Sequence, residues 1–187
     1  MPSLTRDFLH TLDVDFTKYT SNFIETGTYV GDTISNMEPM FKQLHTIEIK
    51  REYYEAVKLS YSGTKIHFHL GDSSLVLKGL LPTIRGNSII FLDGHWSAGD
   101  TGKGAKDIPL VEEITNINNL FKDEAIIIID DYRMFGRGPT NGEICNWEDI
   151  NKSDLLHILK DRIVKSYHLP SDLREDDRLI IQIRGID

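Results

Sequence analysis

The sequence predicts an α/β fold. It reads as one domain, residues 1–187, built on a mostly parallel seven-stranded sheet with helices on both faces and an antiparallel C-terminal strand. Three observations carry that reading. Apolar runs such as Ser88–Leu92 and Ala125–Ile129 are continuous rather than alternating, as in strands buried on both faces. Strand-like runs alternate with helix-length segments through the first five strands, the pattern of parallel strands joined by crossovers. An acidic residue stands at the exit of strand after strand: Glu25, Glu48, Asp72, Asp93, Asp130 and Asp131. Open sheets of this kind bind ligands outside their carboxyl ends, and a purely structural fold has no need of carboxylates there.

In order along the chain, Phe8, Leu9 and Leu12 can line one face of a short helix. A first strand at 22–25 runs into a turn bearing Gly27 and Gly31, and a helix is expected over 32–42, with Pro39 kinking or ending it. A strand at 45–50 and a helix at 51–59 follow, with Tyr54 and Val57 on its inner stripe. The alternation of Ile66, Phe68 and Leu70 with His67 and His69 makes a third strand at 65–70. Asp72 or Ser73 caps the next helix, whose core candidates are Leu75, Val76, Leu77, Leu80 and Leu81. Strands at 88–92 and 125–129 flank a glycine-bearing loop (98–106) and a helix near 109–120. The long loop at 133–151 leads to a short helix capped by Ser153, and strands at 163–169 and 178–183 are joined too briefly for a helical crossover, so they pair antiparallel.

Composition excludes several classes. A formal net charge of −8 argues against a nucleic-acid partner, which selects a basic face. Cys145 is the only cysteine, so neither an internal disulfide nor a cysteine-based zinc site can form. No run approaches the roughly 20 apolar residues of a membrane span, and the N-terminus lacks an apolar signal core, so a soluble cytoplasmic protein is expected.

The turn after the first strand has the design of a nucleotide cradle. Gly27 allows a tight bend and a close ligand, Gly31 lets the new helix pack closely on the strand, and Glu25 is a carboxylate aimed at the same place. With only two glycines, the dinucleotide fingerprint fails, which argues against a nucleotide-dependent oxidoreductase. Glu48, about 20 residues after Gly27, stands where a ribose-binding carboxylate would, or is an ordinary solvated strand end. Asp72 can meet an adenine amino group or cap its helix. Asp93, Asp130 and Asp131 end two strands expected to be neighbours, and three converging carboxylates repel one another unless a cation compensates. An open all-oxygen site suits Mg²⁺; the alternative is that Asp130 caps a turn and Asp131 is solvated. His95 can act as a base beside them, and Trp96 is a wall over a bound ring or ordinary packing.

The segment Glu25-Thr26-Gly27-Thr28-Tyr29-Val30-Gly31-Asp32-Thr33 resembles the cofactor turn of class I S-adenosylmethionine-dependent O-methyltransferases, most nearly the metal-dependent, catechol O-methyltransferase-like group. Ile47-Glu48-Ile49 is similar to that group's second-strand acidic motif, and Phe91-Leu92-Asp93-Gly94-His95-Trp96 to its fourth-strand exit, with one residue inserted before the His-Trp pair. Ile129-Asp130-Asp131-Tyr132 resembles the form found in antibiotic-sugar O-methyltransferases. The resemblance covers residues 22–131 and implies a Rossmann-like sheet. It implies S-adenosylmethionine bound by Glu25, Gly27, Thr28, Tyr29, Gly31 and Thr33 of the turn, with Glu48, Asp72, Ser73 and Asp93. It also implies Mg²⁺ on Asp93, Asp130 and Asp131, holding the hydroxyl of a small-molecule or sugar acceptor, with Asp93 or His95 taking its proton.

Two departures stand out. Ser97 occupies the place of that group's lysine after the His-Trp pair, and the N-terminal cover is short. The loops 98–106 and 133–151, or a second subunit of a homodimer, are candidate lids. A cofactor-binding domain without turnover and a metal-dependent hydrolase using the three aspartates are the competing readings.

Overall fold

The computed structural model describes residues 3–96, 101–139 and 144–186. Seven strands form one sheet: β1 (Asn22–Thr26), β2 (Gln43–Glu48), β3 (Ile66–Leu70), β4 (Ser88–Leu92), β5 (Ala125–Ile129), β6 (Ile163–Leu169) and β7 (Arg178–Ile183). Their order is β3-β2-β1-β4-β5-β7-β6. The first five are parallel, and β7 pairs antiparallel with both β5 and β6. The helices are α1 (Arg6–Leu9), α2 (Asp32–Met37), α3 (Arg51–Ser60), α4 (Ser73–Leu80), α5 (Leu110–Leu120) and α6 (Lys152–Leu159).

Each face of the sheet has its own apolar core. Ile24, Ile90, Ile127 and Ile181 point to the side packed by α4, α5 and α6. Phe23, Ile89, Ile126 and Ile180 point to the other, closed by α1, α2 and the segment around Phe16 and Tyr19. Because successive side chains of a strand face opposite ways, β5 needs an apolar residue at every position, and Ala-Ile-Ile-Ile-Ile supplies them.

Boundaries depart from expectation where local chemistry intervenes. Pro39 ends α2 early, and residues Glu38–Met40 tighten into a 3₁₀ turn. β2 begins and ends two residues sooner than the apolar pattern suggests, so Glu48 is its last residue. Leu75 is not in the core but 71% exposed, because Asp72 starts α4 at a phase that turns Leu77 and Leu81 inward instead. Tyr54 is half-buried, and only Val57 of α3 is fully covered. No helix among the described residues is long and apolar enough to cross a membrane.

Candidate functional site

The strand order reverses between β1 and β4, since β1 continues to β2 on one side and β4 to β5 on the other. At this switch point the two strand exits part, and a cavity of about 580 Å³ opens over the carboxyl ends. Gly27 sits at its base with φ +86°, and a β-carbon there would overlap the Asp93 carbonyl oxygen. The turn of β1 and the exit of β4 are thus in backbone contact, which only glycine permits. Gly31 (φ +80°) serves a different partner from the one expected: a β-carbon would fall 2.5 Å from Val57 Cγ1 of α3, so it admits a neighbouring helix rather than closing α2 onto β1.

Glu48 is fixed before any ligand arrives. Its Oε2 accepts from the Tyr29 backbone N–H at 2.8 Å and its Oε1 from that of Lys50 at 2.8 Å. Tyr29 takes a left-handed φ of 48° and lays its ring against Tyr53, 4.7 Å between centroids. Strain of this kind in a non-glycine residue concentrates at binding sites. Asp72 caps its helix with one oxygen and holds a loop with the other. Oδ1 caps α4 by accepting from Ser74 N at 3.0 Å, while Oδ2 accepts from Ala105 N at 3.3 Å, drawing residues 101–107 over the cavity. Gly102 and Gly104 of that segment lie against Ile49 and Asp72 too closely for side chains. Of the expected cofactor residues, Gly27, Thr28, Tyr29, Thr33, Glu48, Asp72, Ser73 and Asp93 line the cavity. Thr28 Oγ1 is engaged with Thr46, and Thr33 Oγ1 accepts from Ser3 N at 3.1 Å.

Glu25 lies beneath this surface, not in it. It points to the α2 side of the sheet, 1% exposed, with Oε1 accepting from Thr46 Oγ1 at 2.7 Å and Oε2 without a hydrogen-bond partner. Burial, opposed by the Thr46 hydroxyl and aided by the Glu48 charge, pushes its pKa up to about 8. Glu113 of α5 mirrors it on the other side, where burial pushes the carboxyl up to about 7 against hydrogen bonds from Ser73 and Thr26.

The acidic floor lies beyond Gly27. Burial and the charges of Asp130 and Asp131 push the Asp93 carboxyl well above the usual range. His95 bridges the two strand exits: Nε2 is 3.1 Å from Asp131 Oδ2, and Nδ1 is 3.7 Å from Asp93 Oδ1. Trp147 meets the His95 ring edge-on at 4.9 Å. Asp130 is raised to about 6, first by burial, with Arg178 opposing and Asp131 adding. Arg178 Nε stands 3.4 Å from Asp130 Oδ1, and Arg133 Nη1 contacts Asp131 Oδ1 and Asp177 Oδ2. Burial pushes Asp177 up, but hydrogen bonds from Ser171 Oγ and Arg133 outweigh it and hold the carboxyl below its usual range.

Asp93, Asp130 and Asp131 therefore meet at one cavity, but their oxygens do not form a single trio. Among the described residues the ligand atoms gather as Asp93–His95–Asp131 and as Asp130–Asp131–Asp177. Sequence reasoning missed Arg178, Asp177 and Trp147 as parts of the floor, and it read Arg133, with Arg137, only as a loop cation able to draw an anionic or sugar-phosphate substrate or as solvated. The loop at 133–151 is no simple flap, since its Cys145, Trp147 and Ile150 are buried in the α5 and α6 core. Trp96 both lines the cavity and packs on that core, with Lys103 Nζ 4.1 Å above its ring. Ser97 lies outside the described residues, as does part of the loop at 98–106.

Solved structures with the same architecture identify the fold. A chain of a fibrillarin/Nop5p complex aligns over 96% of this chain and 79% of its own, with TM-score 0.57 and 14% identity. An S-adenosylmethionine-dependent methyltransferase from Clostridium acetobutylicum ATCC 824 aligns over 97% and 96%, with TM-score 0.53 and 13% identity. The chain has the Rossmann-like methyltransferase fold. The mitomycin 7-O-methyltransferase MmcR matches at TM-score 0.53 and 15% identity, over 92% of this chain and 50% of its own, so the chain spans about half its length. At these identities the likeness is one of fold. No known family's sequence pattern matches the chain, and no curated protein resembles it in sequence.

Proposed function

We propose that the protein transfers the methyl group of S-adenosylmethionine to a hydroxyl of a small molecule or sugar. The observation that carries this reading is the meeting, in one cavity, of the preset Glu48 cradle and the Asp131–His95–Asp93 chain. The fold shared with methyltransferases supports it. Glu48 is oriented to accept from ribose hydroxyls, and Asp72 and Ser73 border the neighbouring pocket wall. S-adenosylmethionine would supply an electrophilic methyl on a sulfonium that becomes a neutral thioether when the methyl leaves. His95 is placed to take the hydroxyl proton as the new carbon–oxygen bond forms. Asp131 Oδ2, 3.1 Å from Nε2, favours the tautomer with a proton there, which would make Nδ1, on the Asp93 side, the base. Most of the rate would come from holding acceptor and methyl in line, with water kept out by Trp96 and residues 101–107.

The Mg²⁺ suggested by the three strand-end carboxylates fits poorly. Asp130 faces Arg178, Asp131 is shared between Arg133 and His95, and one of the two ligand sets includes an imidazole nitrogen rather than oxygen alone. The same arginine pairing weighs against a metal-dependent hydrolase. The transfer reading is tested by calorimetric titration of S-adenosylhomocysteine into the wild type and Glu48→Ala. Binding in the wild type, weakened at least about tenfold in the variant, is expected for a lost bidentate carboxylate contact. No binding to the wild type overturns it. Labelled methyl transfer to a panel of phenols, sugars and amines then identifies the acceptor.

A further inference from the structure

We propose that Arg133 is the resident cation of the acidic floor, taking the electrostatic place of a divalent metal ion, so that the site works without one. The guanidinium reaches two carboxylates with one nitrogen: Nη1 contacts Asp131 Oδ1 and lies 2.6 Å from Asp177 Oδ2. Its backbone N–H donates to the other oxygen of Asp177 at 3.1 Å. Asp177 is fully buried, and Ser171 Oγ completes its partners at 2.6 Å. A buried carboxylate held by three donors, two of them from one residue, fixes Arg133 rather than merely attracting it.

The surrounding geometry closes the ligand set. Asp131 takes a left-handed φ of 58° at the head of the 3₁₀ turn Tyr132–Met134, which carries Arg133 back over its own carboxylate. Both Asp131 oxygens are then engaged, one by Arg133 and the other by His95 Nε2 at 3.1 Å. Asp130 keeps a separate cation in Arg178, itself held by the carbonyls of Pro170 and Ser3 and by the Phe8 ring 4.6 Å away. A divalent ion entering the Asp130–Asp131–Asp177 set would have to displace the guanidinium, and one entering the Asp93–His95–Asp131 set would share Asp131 with it.

The inference deepens the proposed transfer site and rests on that reading for the chemistry alone, because its test is a binding measurement. Mn²⁺ is titrated into the wild type, Arg133→Ala, Arg133→Gln and Arg133→Ala/Asp131→Asn, with bound ion read by electron paramagnetic resonance. The glutamine variant removes the charge while keeping a donor toward Asp177, and it stands in if the alanine variant does not fold. The wild type is expected to bind Mn²⁺ more weakly than about 1 mM, and either single variant to gain about 10–100-fold in affinity. The added Asp131→Asn change abolishes the gain. Tight Mn²⁺ binding by the wild type that is lost in Arg133→Ala/Asp131→Asn, or no gain in the Arg133 variants, overturns the proposal. A parallel titration of S-adenosylhomocysteine keeps the readings apart: no nucleoside binding with the expected Mn²⁺ pattern sinks methyl transfer and leaves the resident cation standing.

Discussion

Glu25 shows how a residue can look like a ligand in the sequence and be a support in the structure. It sits one layer under the cradle, buried, with one carboxylate oxygen unpartnered and a pKa pushed up to about 8 from the usual 4.5. The folded state holds this proton more tightly than the unfolded chain does. Between about pH 4.5 and 8 the native protein therefore binds more protons, and stability falls as pH rises through that window, by up to about 1.4 kcal/mol per unit. Below it the contribution is fully present. Glu25→Gln, which cannot ionise, is expected to gain about 1–3 kcal/mol at pH 8 and to flatten the dependence of the denaturant midpoint on pH between 5 and 8. Glu113, raised to about 7, leaves a residual slope of the same sign. An unchanged slope in the variant would show that Glu25 ionises freely. What the sequence could and could not disclose is clearest at this scale. Glu48 and Asp72 were legible as residues of the cavity wall because each lies at the exit of its own strand. Arg133, Asp177 and Arg178 were not, because Arg133 and Asp177 are 44 residues apart and meet only after β7 folds back antiparallel along β5. Trp147 was hidden by a glycine-bearing loop that offers no periodicity, although it packs under His95.

At the scale of elements, the glycines of the first turn divide their labour. Gly27 brings β1 against the exit of β4, and Gly31 brings the start of α2 against α3. Gly31→Ala places a β-carbon 2.5 Å from Val57 Cγ1 on a backbone at φ +80°. A cost of about 2–4 kcal/mol is expected, combining the left-handed penalty with overpacking. Trimming the partner should relieve part of it. The double variant Gly31→Ala/Val57→Ala is expected to be more stable than the sum of the two singles by at least about 1 kcal/mol, measured by denaturant unfolding. Strict additivity would place the strain in the backbone alone. Strands were the most legible elements, because β5 is apolar at every position and β4 at every position after Ser88, and no amphipathic helix reads that way. Helix faces were read less well. In α4 about half a turn of phase decides between Leu75 and Leu77, and that phase is set by the cap at Asp72.

For the whole molecule, two apolar layers clamp the sheet while the charged groups of the cavity lie at the strand ends, as Glu48 and Arg178 do, or beyond them. Binding a nucleoside there links to global unfolding by mass action. S-adenosylhomocysteine at about 100 times its dissociation constant should add about 2.7 kcal/mol, a rise in melting temperature on the order of 5–10 °C for a chain of this size. Scanning calorimetry checks this, and the rise should fall to about half or less in Glu48→Ala, whose affinity is at least about tenfold weaker. A shift undiminished in the variant would mean that the ligand sits elsewhere.

Ser3 and Ile186 lie at opposite ends of the parallel strands. Ser3 lines the cavity, its carbonyl held by Arg178 and its N–H donating to Thr33. Ile186 is hydrogen-bonded to Lys122 at the amino end of β5. Any polypeptide fused ahead of Ser3 thus emerges at the rim, where a purification handle would crowd the entrance and an environment-sensitive dye would report its filling. Cargo joined beyond Ile186 hangs from the far side and leaves the entrance clear.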